Sequence, residues 1–248
     1  MGQGVISRLV FQPPDSSYQK DHNLIWLHTT EGEVVPAFFI DRDARFTLLF
    51  SHGNAEDLGM IIQYFRELAQ HLEVNVFAYE YSGYGQSTGS PTEKNVYADV
   101  EAAFAYLTEV IGIPWHQIVL YGRSLGSGPS IYLASKKAVR GVVLQSPLMS
   151  AYRVGFNLRF TLPGDMFANI DRVAKVLCPL YVIHGTKDEI VPLWHGQELW
   201  RNAADPFEPF WVEGGGHNNI ELLARDPFFE KFSHFLKHLE ETDPSVSA

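Results

Sequence analysis

Short apolar runs recur along the 248-residue chain, and the stretches between most of them carry apolar residues three and four positions apart. The runs predict strands at Leu24–Thr29, Val34–Ile40, Phe46–Ser51, Val74–Tyr79, Gln117–Tyr121, Gly141–Gln145, Leu180–His184 and Pro209–Glu213. Between them, the Glu56–Leu72 stretch sets Leu58, Ile61, Ile62, Phe65 and Leu68 on one helical face. Thr92 stands as a cap before a second amphipathic run holding Val96, Val100, Ala103, Phe104 and Leu107. Near-continuous apolar strands alternating with such helices predict a mostly parallel eight-stranded sheet covered on both faces, with an antiparallel hairpin at its start.

The stretch from about 148 to 177 is not required by this alternation. It carries Tyr152, Phe156, Leu158, Phe160, Met166 and Phe167. A short cap over a binding site accounts for it, with Tyr152, Phe156, Phe160, Met166 and Phe167 forming an acyl pocket. The alternative is a longer crossover whose aromatic residues join the core. The chain is expected to form one domain over residues 1–248, with a polar, frayed tail from about 240.

The most informative motif follows the fifth predicted strand. Gly122-Arg123-Ser124-Leu125-Gly126 has the G-x-S-x-G form of a nucleophile elbow, a strand-to-helix turn so tight that side chains at Gly122 and Gly126 would collide with neighbouring backbone. The turn leaves the Ser124 hydroxyl exposed at the sheet edge. An acid and a base follow in order, each after a predicted strand, in Gly185-Thr186-Lys187-Asp188 and Gly214-Gly215-Gly216-His217. Ser, Asp, His is the chain order of α/β-hydrolases. Serine is a weak nucleophile until a base takes its proton, histidine has the pKa for that work, and a carboxylate fixes the imidazole tautomer. Ser124, His217 and Asp188 are the candidate triad, with adjacent Glu189 a rival to Asp188. Among the ten histidines, His184 reads as packed in its strand, and His195 and His116 as surface side chains. Ser51-His52-Gly53-Asn54 ends the third strand where such folds complete an oxyanion hole, so the backbone N–H groups of Asn54 and Leu125 are the expected donors. His52 reads as a structural imidazole bonded to nearby backbone.

The remaining features narrow the function. Net charge is −10 and no Lys/Arg cluster could neutralise a phosphate backbone, which argues against nucleic acid as a partner. The glycine-rich stretch Tyr81–Gly89 matches no phosphate-binding pattern and reads as a tight loop beside the pocket; no metal-ligand spacing is present. No apolar run reaches the roughly 18 residues that cross a bilayer, and no signal peptide is read at the start. The expected setting is cytoplasmic, with peripheral contact at a membrane face. Cys178, the single cysteine, excludes an internal disulfide and reads as a small buried hydrophobe. Gly2 narrowly misses a myristoylation signal, because Ile6 occupies the usual Ser/Thr position.

The chain resembles the α/β-hydrolase domain-containing 17 family of protein depalmitoylases, and more broadly the Bem46-like serine hydrolases. The resemblance runs from about Arg8 to Leu239 and includes Phe11-Gln12-Pro13-Pro14, Ser51–Asp57, Tyr81–Gly85, Gln145–Ser150, Asn169-Ile170-Asp171 and Gly216-His217-Asn218. It implies hydrolysis, without a cofactor, of the thioester joining a long acyl chain to cysteine on membrane-bound proteins. Departures are Glu80 where that family typically has Asp, Arg123 where Gln is usual, and Asn219 where Asp is usual. The family's amino-terminal cysteine cluster is also unmatched. A carboxylesterase, a monoacylglycerol-type lipase or a serine peptidase would use the same machinery, and a non-catalytic scaffold would leave it idle.

Overall fold

A computed structural model describes residues 10–20, 23–156, 160 and 164–242, the side chain of Phe156 excepted. Eight strands form one sheet: β1 (Ile25–His28), β2 (Val34–Ile40), β3 (Thr47–Ser51), β4 (Asn75–Tyr79), β5 (Ile118–Arg123), β6 (Gly141–Gln145), β7 (Leu180–Gly185) and β8 (Phe210–Val212). Their order is β1-β2-β4-β3-β5-β6-β7-β8. β2 runs antiparallel to both β1 and β4, and every other neighbouring pair is parallel. The chain reverses direction across the sheet between β3 and β5, the switch point where open α/β sheets bind ligands at their carboxyl ends. Ser51 there pairs with Gly122.

Helices cover both faces. On one side lie α1 (Leu58–His71) and α7 (Arg225–Glu241); the other elements are α2 (Glu93–Ala105), α3 (Ser127–Ala134), α4 (Ala151–Phe156), α5 (Trp194–Arg201) and α6 (Ile220–Leu223). Strand periodicity separates two cores. Phe50, Val76, Tyr121 and Tyr181 meet Phe65, Leu68, Phe232 and Phe235 of α1 and α7. Leu49, Phe77, Leu120 and Val182, one residue away along the same strands, meet Val96, Val100, Ile131 and Leu199 of α2, α3 and α5.

Local chemistry explains where the elements differ from expectation. α1 begins at Leu58 because Asp57 is its cap, its Oδ1 accepting the Met60 N–H at 2.9 Å. Thr92 caps α2 through the Asn95 N–H, and the helix widens into a π turn over Tyr106–Ile111 before left-handed Gly112 ends it. β5 runs two residues past its expected end, carrying the ladder up to the serine. α7 extends to Glu241, and Arg140 donates to Thr242 Oγ1 at 2.7 Å and to the Leu239 carbonyl. Residues 243–248 lie outside the described residues, as do Gly2 and Leu158.

Phe232 is fully buried between Tyr121, Tyr181 and Phe228. Phe232→Ala should lower unfolding free energy by about 3–5 kcal/mol. Denaturant titration giving a loss below about 1 kcal/mol would mean that α7 is not pinned to the sheet as described.

Candidate active site

β5 delivers Ser124 into a backbone conformation that side chains rarely adopt, with φ 51°. The glycines around it make this possible. A Cβ on Gly122 would lie 2.5 Å from the Gly126 carbonyl oxygen and 2.6 Å from Ser130 Oγ, and one on Gly126 would run into the Ser51 carbonyl. The elbow is therefore pressed against the end of β3, and the first turn of helix after Ser124 leaves the Leu125 N–H without an acceptor in the helix.

A second close approach aligns the other two residues. Gly185, at the end of β7, lies so near the Gly215 and Gly216 carbonyls that a Cβ would overlap them. Lys187 N–H donates to the Gly215 carbonyl at 2.8 Å, tying the loop after β7 to the loop after β8. His217 Nδ1 consequently lies 2.7 Å from Asp188 Oδ2, and His217 Nε2 lies 2.9 Å from Ser124 Oγ. With Nδ1–H donating to the carboxylate, Nε2 is the acceptor for the serine hydroxyl. The arrangement can draw a proton from Ser124 while Asp188 steadies the imidazolium. Glu189, the rival carboxylate, is exposed.

Asp188 is held from several sides. Its Oδ1 accepts the Ile190 and Val191 N–H groups at 3.0 and 2.8 Å, and its Oδ2 also lies 3.3 Å from His184 Nε2. Burial raises its pKa, but hydrogen bonds from His184, His217 and the Val191 amide outweigh that and hold the carboxyl well below the ordinary range. His184 is fully buried and bonded to the Val191 carbonyl at 2.8 Å, as a packed strand histidine should be. His195 corrects an expectation. It is not a surface residue but is fully buried, its Nδ1 accepting the Met149 N–H at 3.1 Å.

The loop after β3 holds the other expected donor. The Gly53 N–H is taken by Glu56 Oε2 at 2.8 Å and the Ala55 N–H by Asn54 Oδ1 at 3.1 Å; among the described residues the Asn54 N–H has no acceptor. Asn54's side chain is engaged elsewhere, donating to the Val10 carbonyl and accepting from Tyr84 Oη and the Gln12 N–H. His52 bonds the Gly53 carbonyl through Nδ1 at 2.8 Å, while its Nε2 lies 3.2 Å from Glu80 Oε2 with both side chains fully buried. Burial lowers the imidazole pKa, but the Glu80 carboxylate more than reverses this, so the net shift is upward. Glu80 Oε1 in turn accepts from Tyr18 Oη and the Leu58 N–H, both at 2.8 Å. Asp57 accepts from Ser17 through both its N–H and its Oγ. Residues 10–18 are thereby strapped across the loop. Sequence reasoning marks Glu80 only as a departure and misses its role; a carboxylate directly after a largely apolar strand is the available signal.

A cavity of about 610 Å³ opens at Ser124, Leu125 and Asn54, walled by Val10, Leu148, Ala151, Tyr152, Val154, Gly155, Ile190 and Val191. Of the four acyl-pocket candidates whose side chains are described, only Tyr152 lines it. Phe167 is instead a core residue, fully buried and edge-on to Phe11 and Tyr97 at 5.8 and 5.7 Å. Met166 packs against that core, Phe160 is 59% exposed, and the Phe156 side chain lies outside the described residues. The Tyr81–Gly89 loop packs beneath Asn54 through Tyr84 rather than lining the cavity. A concavity of about 690 Å³ lies at the opposite, amino edge of the sheet beside Lys137, Arg140 and half-buried Cys178, whose thiol pKa is pushed up to about 12 by burial; none of the triad lines it. Among the described residues no His/Cys/Asp/Glu group could hold a metal ion, and no helix is long and apolar enough to cross a membrane.

A carboxyl whose pKa is depressed in the folded protein adds stability above its unfolded pKa, and that stability is lost as pH falls towards the folded value. The stability advantage of the wild type over Asp188→Asn should therefore shrink as pH falls from about 6 to about 3, around the unfolded carboxyl pKa. A gap independent of pH in denaturant titrations would contradict the network around Asp188.

A family model described as the alpha/beta hydrolase fold matches residues 47–166. The chain is 37% identical over 262 residues to the human alpha/beta hydrolase domain-containing protein 17B, covering 94% of this chain and 90% of that one. It is 41% identical to the alpha/beta hydrolase domain-containing protein aho-3 of Caenorhabditis elegans, over 94% of this chain and 77% of the relative. Among solved structures, an esterase from Pyrococcus furiosus superposes with a TM-score of 0.73 at 19% identity, over 92% of this chain and 99% of that one. This last likeness is one of fold. With 37–41% identity over most of its length, the chain belongs to the α/β-hydrolase domain-containing protein 17 family.

Proposed function

We propose that this chain is a serine hydrolase that cleaves long-chain acyl thioesters, with S-palmitoyl-cysteine on proteins as the substrate class. The observation that carries the reading is the cavity that begins at Ser124 and is walled by Tyr152 and the aliphatic side chains of Val10, Leu148, Val154, Ile190 and Val191. An alkyl chain gains about 0.8 kcal/mol for each CH₂ group it buries there. The family's depalmitoylating activity, implied by the sequence resemblance, fits that shape. Such a substrate is met by peripheral contact with a cytosolic membrane face.

The chemistry follows from the distances. Ser124 Oγ attacks the thioester carbonyl carbon as its proton passes to His217 Nε2. The oxygen that becomes negative is held by the Leu125 and Asn54 N–H groups. Collapse breaks the carbon–sulfur bond, and the departing cysteine sulfur takes the proton from His217. Water then gives a proton to His217 and attacks the acyl-enzyme, releasing the fatty acid and restoring Ser124. No cofactor enters any step.

Three measurements test this. Fluorophosphonate should label the wild type and not Ser124→Ala. Asp188→Asn should lower kcat by about 10⁴-fold through loss of the correct imidazole tautomer. Among the described residues, nothing lies within 4 Å of a Cβ added to Gly155, in the cavity wall. Gly155→Phe should therefore lower kcat/KM for hexadecanoyl thioesters at least about tenfold more than for butanoyl thioesters, given the methylene energies involved. Rapid hydrolysis of short oxygen esters with long-chain acyl-cysteine peptides left intact would replace the thioesterase reading with a carboxylesterase. An unlabelled wild type would favour a scaffold.

A further inference from the structure

Arg123 directly precedes the nucleophile, yet its side chain is only 14% exposed and does not line the acyl cavity. Its Nη1 lies 3.0 Å from Glu56 Oε1, and its Nη2 donates to Asn218 Oδ1 at 3.3 Å. Glu56, itself 17% exposed, uses its other oxygen to accept the Gly53 N–H at 2.8 Å. One guanidinium thus joins the loop carrying the Asn54 N–H to the loop carrying His217.

The position of Glu56 creates an electrostatic problem. Its carboxylate holds the loop through the Gly53 N–H, one residue before the Asn54 N–H, but a negative charge beside that loop opposes the negative charge that grows on the substrate oxygen. In a largely closed site such repulsion is weakly screened. A guanidinium 3.0 Å away cancels it while leaving the Gly53 bond intact. Lysine would not do both tasks, because a planar fork reaches two acceptors in fixed directions and an ammonium does not.

We infer that Arg123 is a positioning residue for the hydrolysis: it neutralises Glu56, so that Glu56 can hold the loop after β3 without its charge opposing the one that grows on the substrate oxygen. The inference rests on Ser124 being the nucleophile of the proposed reaction. Glu221, which accepts from Gln145 Nε2 at 2.8 Å, is the other carboxylate whose charge bears on Arg123, but it makes no bond to the oxyanion loop.

The experiment compares steady-state kinetics of purified wild type, Arg123→Gln, Glu56→Gln, the two together, and Arg123→Gln with Glu221→Gln, on a long-chain acyl thioester. Arg123→Gln should lower kcat about tenfold or more with little change in KM, as expected for a charge felt mainly in the transition state. Glu56→Gln, whose amide oxygen still accepts the Gly53 N–H, should lower kcat less than Arg123→Gln does, and adding it to Arg123→Gln should raise kcat to the level of Glu56→Gln alone, a coupling of the size seen between contacting charges. Glu221→Gln should not restore it. A purely structural Arg123 would lower melting temperature without kinetic rescue by Glu56→Gln. An unchanged kcat in Arg123→Gln, or a loss that Glu56→Gln leaves in place, overturns the inference. If Arg123→Gln fails to fold, the double variant with Glu56→Gln decides the matter by itself: activity within about threefold of Glu56→Gln supports the inference, and a loss beyond about tenfold from Glu56→Gln overturns it. Fluorophosphonate labelling separates the two layers, since an unlabelled wild type sinks the nucleophile reading, whereas labelled wild type with unaffected Arg123→Gln sinks the positioning role alone.

Discussion

Everything at the carboxyl edge of the sheet depends on backbone passing backbone at distances no side chain would allow. Gly126 lies against the end of β3 and Gly185 against the loop after β8. The first contact sets Ser124 beside the loop after β3, and the second brings Asp188 and His217 within hydrogen-bond reach of each other. The left-handed backbone at Ser124, a conformation unfavourable by roughly 1–2 kcal/mol for a non-glycine residue, is a product of the same crowding.

The charges around this edge are balanced rather than sparse. Asp188 collects donors from two histidines and two amides, Glu80 collects His52, Tyr18 and an amide, and Glu56 collects Arg123 and an amide. A buried carboxylate with its lone pairs so occupied fixes each loop at a defined point, and removing one partner would strand the charge. The site is thus organised by anions that are each matched locally, in a chain whose overall charge is strongly negative. Preorganised donors of this kind are what an acyl-transfer transition state needs.

Much of this is legible in the order of residues alone. The inner strands, buried on both faces, appear as near-continuous apolar runs, and all eight strands are placed within about two residues of where they form. The order of Ser124, Asp188 and His217 after strands points to three residues that the fold brings together. The cavity wall is not legible, because the size of an aromatic side chain says nothing about which cavity it enters. Phe167 leaves the expected pocket for the core, where it packs on Phe11 and Tyr97, while modest aliphatics such as Leu148 and Val191 take the wall by virtue of where β6 and β7 end. His195 looks like a surface residue in sequence because its partner, the Met149 amide, comes from a distant loop. Arg123 and Glu56 are 67 positions apart, and no local pattern announces a pair formed only when β3 and β5 lie side by side.

The strap formed by residues 10–18 has a practical meaning for anyone handling this protein. Val10 contributes to the cavity wall and to the Asn54 side-chain bond, Gln12 and Ser17 grip Asn54 and Asp57, and Tyr18 reaches Glu80. None of these residues belongs to the sheet, yet Phe11 among them packs in the core against Phe167, so trimming them back to tidy an expression product would loosen that core and leave the rim of the candidate site unfastened and unwalled. Inactivity in such a shortened preparation would report on the missing strap and would say nothing about the chemistry.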